Sequence, residues 1–307
     1  SGKFNASINT VEFGTGDKAV KIGGENVFPL YSFDAAIENA PKVGIEITDF
    51  GMEHEPECIK KYYEGCATLA DMARKAASME GVDFLSFRME GGDPNGANKS
   101  TEELIGELKE IADAVDLPLV VCGCKNVEKD AELFSKAAEA LNGKNAVILS
   151  AKEENYKTVG AAAGLAYKQV VGAESAVDIN LAKQLNVLIS QLGVDSKSVV
   201  MNVGTAAVGY GFEYVISTMD RVKAAALQQG DANLQMPIIT PVASEAWGVK
   251  EAMASETDAP EWGSQEERGI DMEVETAMAV IAAGSNAVIL KHPESIKIIS
   301  GLMKELV

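Results

Sequence analysis

Histidine is nearly absent from this 307-residue chain, which has only His54 and His292. Cysteine is scarce too: Cys58, Cys66, Cys122 and Cys124, with no Cys-x-x-Cys spacing. A zinc site needs three or four ligands held together, so no metal site is expected. Cys122-x-Cys124 alone falls short of the four thiolates of an iron–sulfur cluster. Buried free cysteine behaves as a small hydrophobe, and a disulfide framework is not expected in a cytosolic chain of this size. Bases are also few. Lys and Arg number 27 against 46 Asp and Glu, a formal net charge of -19. A nucleic-acid binder uses Lys and Arg to displace counterions from phosphates, so nucleic acid and anionic membrane are excluded as partners. The charge reads as a solubility device, with a basic partner protein as the sharper alternative. No apolar run is long enough to span a bilayer. Ser1-Gly2-Lys3-Phe4-Asn5 shows no signal-peptide character, so the expected location is the cytoplasm.

Hydrophobic residues make up 47% of the chain and charged residues 24%, ordinary for a globular protein with a sizeable core. Residues 1–40 read as an N-terminal extension. Ile8–Gly14 and Ala19–Gly24 alternate around a Thr15–Lys18 turn, the pattern of a β-hairpin. Its expected place is a lid on the bottom of the domain formed by the rest of the chain.

Residues 41–307 repeat one theme. Eight short apolar runs begin at Val43, Phe84, Leu117, Ala146, Gln169, Val199, Pro237 and Ala287. The segments between them carry helical spacing, as in Leu104, Leu108, Ile111, Ala112 and Val115, with Ser100 and Glu103 as a capping signal. Strands alternating with helices imply parallel pairing with right-handed crossovers. The count of eight, and the lack of a Gly-x-Gly-x-x-Gly turn after the first strand, favour a single (β/α)8 TIM barrel over an open doubly wound sheet. Ser255–Gly269 reads as a long insertion before the helix that leads to the last strand.

In such a barrel, chemistry sits at the carboxyl ends of the strands. Those ends are rich in Asn, Asp and Gly: Asn95 and Asn98 after the second run, Asn155 after the fourth, and Asp178 and Asn180 after the fifth. Asn202, Gly204 and Gly209 belong to the end of the sixth. Asn offers both donor and acceptor, and glycine lets a ligand approach the backbone. The set suits a flat ligand edged with amides or a heteroaromatic ring, although each residue alone is also an ordinary loop residue. The Gly204–Gly211 run either holds an anion or amide at a helix start or simply allows a tight turn. Lys291 is the only strand-end lysine near a Schiff-base position, and a salt bridge is its commoner role. Glu46 and Glu90 are a possible acid–base pair, though acids at a barrel end more often pair with a neighbouring base such as Arg88.

Several strings carry a resemblance. They are Glu90-Gly91-Gly92-Asp93-Pro94-Asn95-Gly96-Ala97-Asn98, Pro118–Cys124 with Val127–Asp130, Glu154–Lys157, and Asp178-Ile179-Asn180 with Lys183–Asn186. Gly209-Tyr210-Gly211-x-Glu213-Tyr214, Glu245-Ala246-Trp247, Glu267–Ile270 and Leu290–Glu294 complete the set. In this order, over nearly the whole chain, they resemble the small (delta) subunit of the corrinoid iron–sulfur protein of the acetyl-CoA decarbonylase/synthase system. The resemblance implies a barrel similar to pterin-dependent methyltransferases. It also implies a heterodimer with a large subunit that carries the iron–sulfur cluster and a corrinoid (cobalamin) domain. The corrinoid is then held at the interface, above the barrel top. The pair passes a methyl group from methyl-tetrahydropterin, by way of its methyltransferase, to acetyl-CoA synthase/CO dehydrogenase. The chain would be non-catalytic alone, with Asn95, Asn98, Asn155, Asp178, Asn180, Asn202, Gly204 and Gly209 nearest the corrinoid. Asp-x-His-x-x-Gly, which supplies a cobalt ligand in one class of corrinoid domain, is missing, so no cobalt ligand is expected. The alternatives are an autonomous pterin-binding methyltransferase and a lyase or aldolase built on Lys291 or Glu46.

Overall fold

The computed structural model describes residues 2–307. The chain opens with an antiparallel hairpin, β1 (Val11–Phe13) and β2 (Val20–Ile22), paired Val11 to Ile22 and Phe13 to Val20. Eight parallel strands come next: β3 (Lys42–Thr48), β4 (Phe84–Arg88), β5 (Leu119–Cys122) and β6 (Val147–Ala151). Then come β7 (Val170–Glu174), β8 (Val199–Asn202), β9 (Ile239–Thr240) and β10 (Ala287–Leu290). Their spatial order is β8-β7-β6-β5-β4-β3-β10-β9. A parallel bridge from Met201 to Ile238 brings β8 back to the start of β9, with the Met201 N–H donating to the Pro237 carbonyl at 2.8 Å. The ring therefore closes as the (β/α)8 barrel that eight runs imply.

Successive side chains of a strand point to opposite faces, and the core divides accordingly. On β3, Val43, Ile45 and Ile47 face outward into the large cluster shared with the helices. Phe84, Val120, Val147, Val170, Val200, Ile239 and Ile289 face inward and form a second cluster. The hairpin's Val11, Phe13, Val20 and Ile22 belong to that inner cluster, so β1 and β2 plug the lower end of the barrel. The Phe13 ring meets Phe84 edge-on at 5.4 Å, and the Gly14 N–H donates to the Asn145 carbonyl at 2.8 Å.

Three expectations shift. The helix Gln265–Ala283 begins inside the stretch read as an insertion. The Ser264 hydroxyl accepts from the Glu267 N–H at 3.4 Å, an N-cap that hides in an otherwise loop-like composition. The insertion thus shrinks to residues 255–264. Strand β9 has only two residues, because Pro237 and Pro241 cannot donate to a ladder. Strand β7 runs one residue further than its apolar composition suggests and ends on Glu174. Among the described residues no helix is long and apolar enough to cross a membrane.

Candidate functional site at the barrel mouth

The alternation that buries Phe84 inside the barrel carries Arg88 inward four residues later, at the upper end of β4. Glu46, Cys122, Glu174, Asn202 and Lys291 reach the same end from β3, β5, β7, β8 and the residue after β10. Together they surround a cavity of about 280 Å³ and an adjoining hollow of about 380 Å³. Arg88, Gly123, Lys125 and Ser244 border both.

Ion pairs set the electrostatics. Arg88 Nε donates to Glu46 Oε2 at 3.0 Å, with both side chains buried. This is the pairing read as the commoner role of Glu46. Lys291 Nζ lies 2.9 Å from Glu55. Burial pulls the Lys291 ammonium down, but the Glu55 and Glu46 carboxylates outweigh it and raise its pKa. This ion pair is the salt-bridge role read as the commoner one for Lys291. Burial pushes the Cys122 thiol up to about 11 and the Cys124 thiol up to about 12, so neither is a thiolate near neutral pH. Glu174 is also raised by burial, opposed by Lys152 and Lys125. Among the described residues no group of three or more His, Cys, Asp or Glu is placed to hold a metal ion.

The loop after β5 is shaped by one carboxylate. Asp130 accepts from the Cys124 N–H at 2.8 Å and the Lys125 N–H at 3.1 Å. A Cβ on Gly123 would stand 2.1 Å from Asp130 Oδ1, so only glycine lets this loop close on its anchor. Across the mouth, Ala176 and Val177 hold φ of 46° and 58°. Left-handed backbone is rare for a β-branched residue, and such strain gathers at functional sites. It is held by the Val177 N–H donating to the Val203 carbonyl at 2.8 Å and by the Thr218 hydroxyl on the Val177 carbonyl at 3.2 Å. Val177 is exposed, as are Tyr210, Tyr214, Met253 and Trp262. All five come after β7, β8 or β9, so the apolar rim lies on one side of the mouth. Exposed apolar groups gathered in this way mark interaction surfaces.

The eight residues singled out in the sequence fall into three groups. Asn202 and Gly204 border the cavity. Asn202 Nδ2 donates to Ser150 Oγ at 3.2 Å, and its Oδ1 accepts from the Gly204 N–H at 3.1 Å. Asn155 and Asp178 are engaged by backbone. Asn155 accepts from the Lys152 N–H at 2.8 Å and donates to the Val127 carbonyl at 3.0 Å. Asp178 caps the helix Ile179–Gln191, accepting from the Asn180 and Leu181 N–H groups at 2.9 and 3.0 Å. Asn95, Asn98, Asn180 and Gly209 are exposed, and Gly209 borders a separate outer hollow. Sequence reading passed over Ser150, Lys152 and Glu174, which also border the cavity, as does Thr205 of the Gly204–Gly211 run. For Glu174 the signal was present: it stands two residues after Gly172 and four after inward-facing Val170.

Beneath the second hollow, fully buried Glu273 accepts from Trp247 Nε1 at 2.9 Å, the Lys291 N–H at 2.8 Å and the His292 N–H at 3.0 Å. Burial pushes its carboxyl from the usual 4.5 up to about 7 against those donors. A raised carboxyl keeps its proton in the fold after the unfolded chain has lost it. Its contribution to stability therefore falls as pH rises from 4.5 to about 7. Glu273→Gln is expected to flatten part of that fall in denaturant midpoints measured across the range. An unchanged slope would show that Glu273 is already ionised in the fold.

By architecture the molecule is a (β/α)8 barrel. It is similar to dihydropteroate synthase from Xanthomonas albilineans in complex with 7,8-dihydropteroate, with TM-score 0.56 and 13% identity over 87% of this chain and 94% of that one. The Thermus thermophilus enzyme in complex with 4-aminobenzoate is similar at TM-score 0.54 and 13% identity, over 92% and 99%. Sequence narrows this further. The CO dehydrogenase/acetyl-CoA synthase delta subunit family matches residues 10–303, and the chain belongs to that family. Acetyl-CoA decarbonylase/synthase complex subunit delta 1 of Methanosarcina thermophila is 30% identical over 300 residues, covering 95% of this chain and 67% of that protein. The delta subunit of Methanothermobacter thermautotrophicus is 31% identical over 299 residues, covering 96% and 75%.

Proposed function

We propose that this chain is the corrinoid-facing half of a methyl carrier. Its barrel mouth would meet a corrinoid borne by a larger, cluster-bearing subunit. The methyl group would come from methyl-tetrahydropterin, through its methyltransferase, and go on to acetyl-CoA synthase/CO dehydrogenase. The observation that carries this reading is the one-sided mouth: an apolar rim of Val177, Tyr210 and Tyr214 beside a polar opening, on a chain whose relatives are subunits of a complex. The donor set fits such a group. Thr205 Oγ1 is sheltered at the mouth without a partner. The carboxamides of Asn95 and Asn98 stand on an exposed loop, and that of Asn180 is exposed in the first turn of the helix Ile179–Gln191. A corrin is flat and fringed with amide arms, so aromatic and aliphatic rim groups suit its face and carboxamides suit its edge. A bound corrinoid would supply the cobalt that carries the methyl group. This chain would bind, orient and shield it.

Co-expression with a large subunit tests the reading. The expected result is a one-to-one complex with a corrinoid absorption spectrum. Asn202→Ala should release the corrinoid roughly fivefold faster while the barrel stays folded, since one neutral hydrogen bond contributes on the order of 1 kcal/mol. Unchanged retention would remove Asn202 from the site, and a complex formed without corrinoid would overturn the reading. The second reading, an autonomous pterin-binding methyltransferase, draws on the likeness to dihydropteroate synthase barrels. It would win if the chain alone moved a methyl group from methyl-tetrahydropterin to free cobalamin.

A further inference from the structure

The loop between β4 and the helix Thr101–Ala114 is held more firmly than an exposed turn requires. Its tip, Pro94–Asn98, is exposed, and Asp93 at the foot of the tip borders the second hollow. Its ends are tied together, with the Lys99 N–H donating to the Gly91 carbonyl at 2.8 Å. Within it, Asp93 Oδ1 accepts from the Asn95 N–H at 2.9 Å, and the Asp93 carbonyl accepts from the Gly96 and Asn98 N–H groups at 3.0 Å. Beneath the neck lies Asp49, the second residue after Ile47 of β3, with its side chain wholly sheltered. Asp49 Oδ1 accepts from the Gly91 N–H at 2.9 Å, and Oδ2 lies 3.0 Å from Lys99 Nζ. The same ammonium donates to the Asp49 carbonyl at 3.1 Å, lies 3.5 Å from Glu107 and stands 5.2 Å from the centre of the Phe50 ring. Burial pulls the Lys99 ammonium down, but its contact with Asp49 outweighs that and raises its pKa, so the cation persists. Turn chemistry at Asp93 would by itself reverse the chain, whereas taking the Asp49 charge out of water is costly. What the ion pair adds is one fixed conformation for the exposed tip. Ordering a contact loop before it binds raises affinity, because less freedom is lost on contact.

We propose that Asp49 and Lys99 are positioning residues. They clasp the loop Gly91–Asn98 in one conformation and so present the Asn95 and Asn98 carboxamides at the mouth before any partner arrives. This rests on the corrinoid-facing reading, in which those carboxamides meet the edge of the ring. The clasp acts through them and touches no ligand itself.

Asp49→Asn/Lys99→Met tests it. The two changes together leave no buried carboxylate unmatched, and the new carboxamide can still accept from the Gly91 N–H. In the full chain, hydrogen exchange at the bonded N–H groups of Gly91, Gly96, Asn98 and Lys99 is expected to quicken roughly tenfold or more, with parent rates elsewhere. In the two-subunit complex the corrinoid should leave roughly fivefold faster, the scale set by ordering one or two contact side chains. Asn95→Ala/Asn98→Asp removes both carboxamides and respects the left-handed φ of 50° at residue 98. Adding the clasp changes to that variant should speed release no further, because residues that act as one unit are not additive. Unchanged exchange in the loop would overturn the proposal, and so would an equal rise along the whole chain, which marks a merely structural pair. Unchanged corrinoid release, or effects that multiply in the combined variant, would overturn it too. The exchange measurement needs no corrinoid. A complex that forms without one would therefore sink the corrinoid reading and leave the clasp to stand or fall on the exchange of the loop.

Discussion

Gly44→Ala is expected to lower the melting temperature by roughly 6–12 °C, a loss of about 3 kcal/mol at a few degrees per kcal/mol. Gly44 lies on the inner face of β3, where an added Cβ would stand 2.2 Å from Phe84 Cε2 and 2.5 Å from its Cζ. Neither side can yield easily. Strand β3 is paired on both edges, with Gly44 opposite Phe84 of β4 and Ile289 of β10. The Phe84 ring is fully buried and held edge-on by Phe13 of the hairpin. Overpacking an interior of this density forces off-rotamer side chains or backbone shifts. The remedy is local: adding Phe84→Leu should recover more than half of the lost stability. A single variant that melts like the parent would show that the lower barrel is loosely filled.

Arg88→Ala is the second large effect, about 3–5 kcal/mol by denaturant midpoint. Removing one member of a buried ion pair leaves the other as an uncompensated charge. Here the survivor is Glu46, whose side chain is 1% exposed. The pair itself need not be a net source of stability, because taking both charges out of water costs about as much as their attraction returns. The double variant Arg88→Ala/Glu46→Leu should therefore be markedly more stable than Arg88→Ala alone. A double variant no better than the single one would mean that Arg88 acts through other contacts. A loss under about 1 kcal/mol would mean that water reaches Glu46, as for an exposed pair.

Much of the barrel was legible in the residues. Period-two alternation in Val43–Thr48 and Phe84–Arg88 already separates an outer apolar face from an inner one. The Ser100 cap stands where it was read, with the Glu103 N–H donating to its hydroxyl at 3.1 Å. The Glu46–Arg88 pair could be weighed because parallel neighbours in a barrel share a register. Other features left no such trace. The helix start at Ser264 was masked by Pro260 and Gly263, which resemble loop. The extra strand residue at Glu174 was masked by its charge.

The sequence by itself determined the eightfold strand–helix repeat, the hairpin before it, and the poverty in metal ligands and bases. Those are properties of composition and of spacing along one dimension, which strands and helices read directly. Only the tertiary structure decided which polar strand ends are free. Asn155 and Asp178 looked like ligand groups but are engaged by backbone close to them in the chain. Asn202 also accepts from nearby backbone, the Gly204 N–H, but its Nδ2 reaches Ser150, 52 residues away. Arg88 and Glu174 come to face one cavity because the sheet closes on itself. Whether a polar atom already has a partner depends on the curvature and register of that closed ring, and no local pattern of residues encodes it.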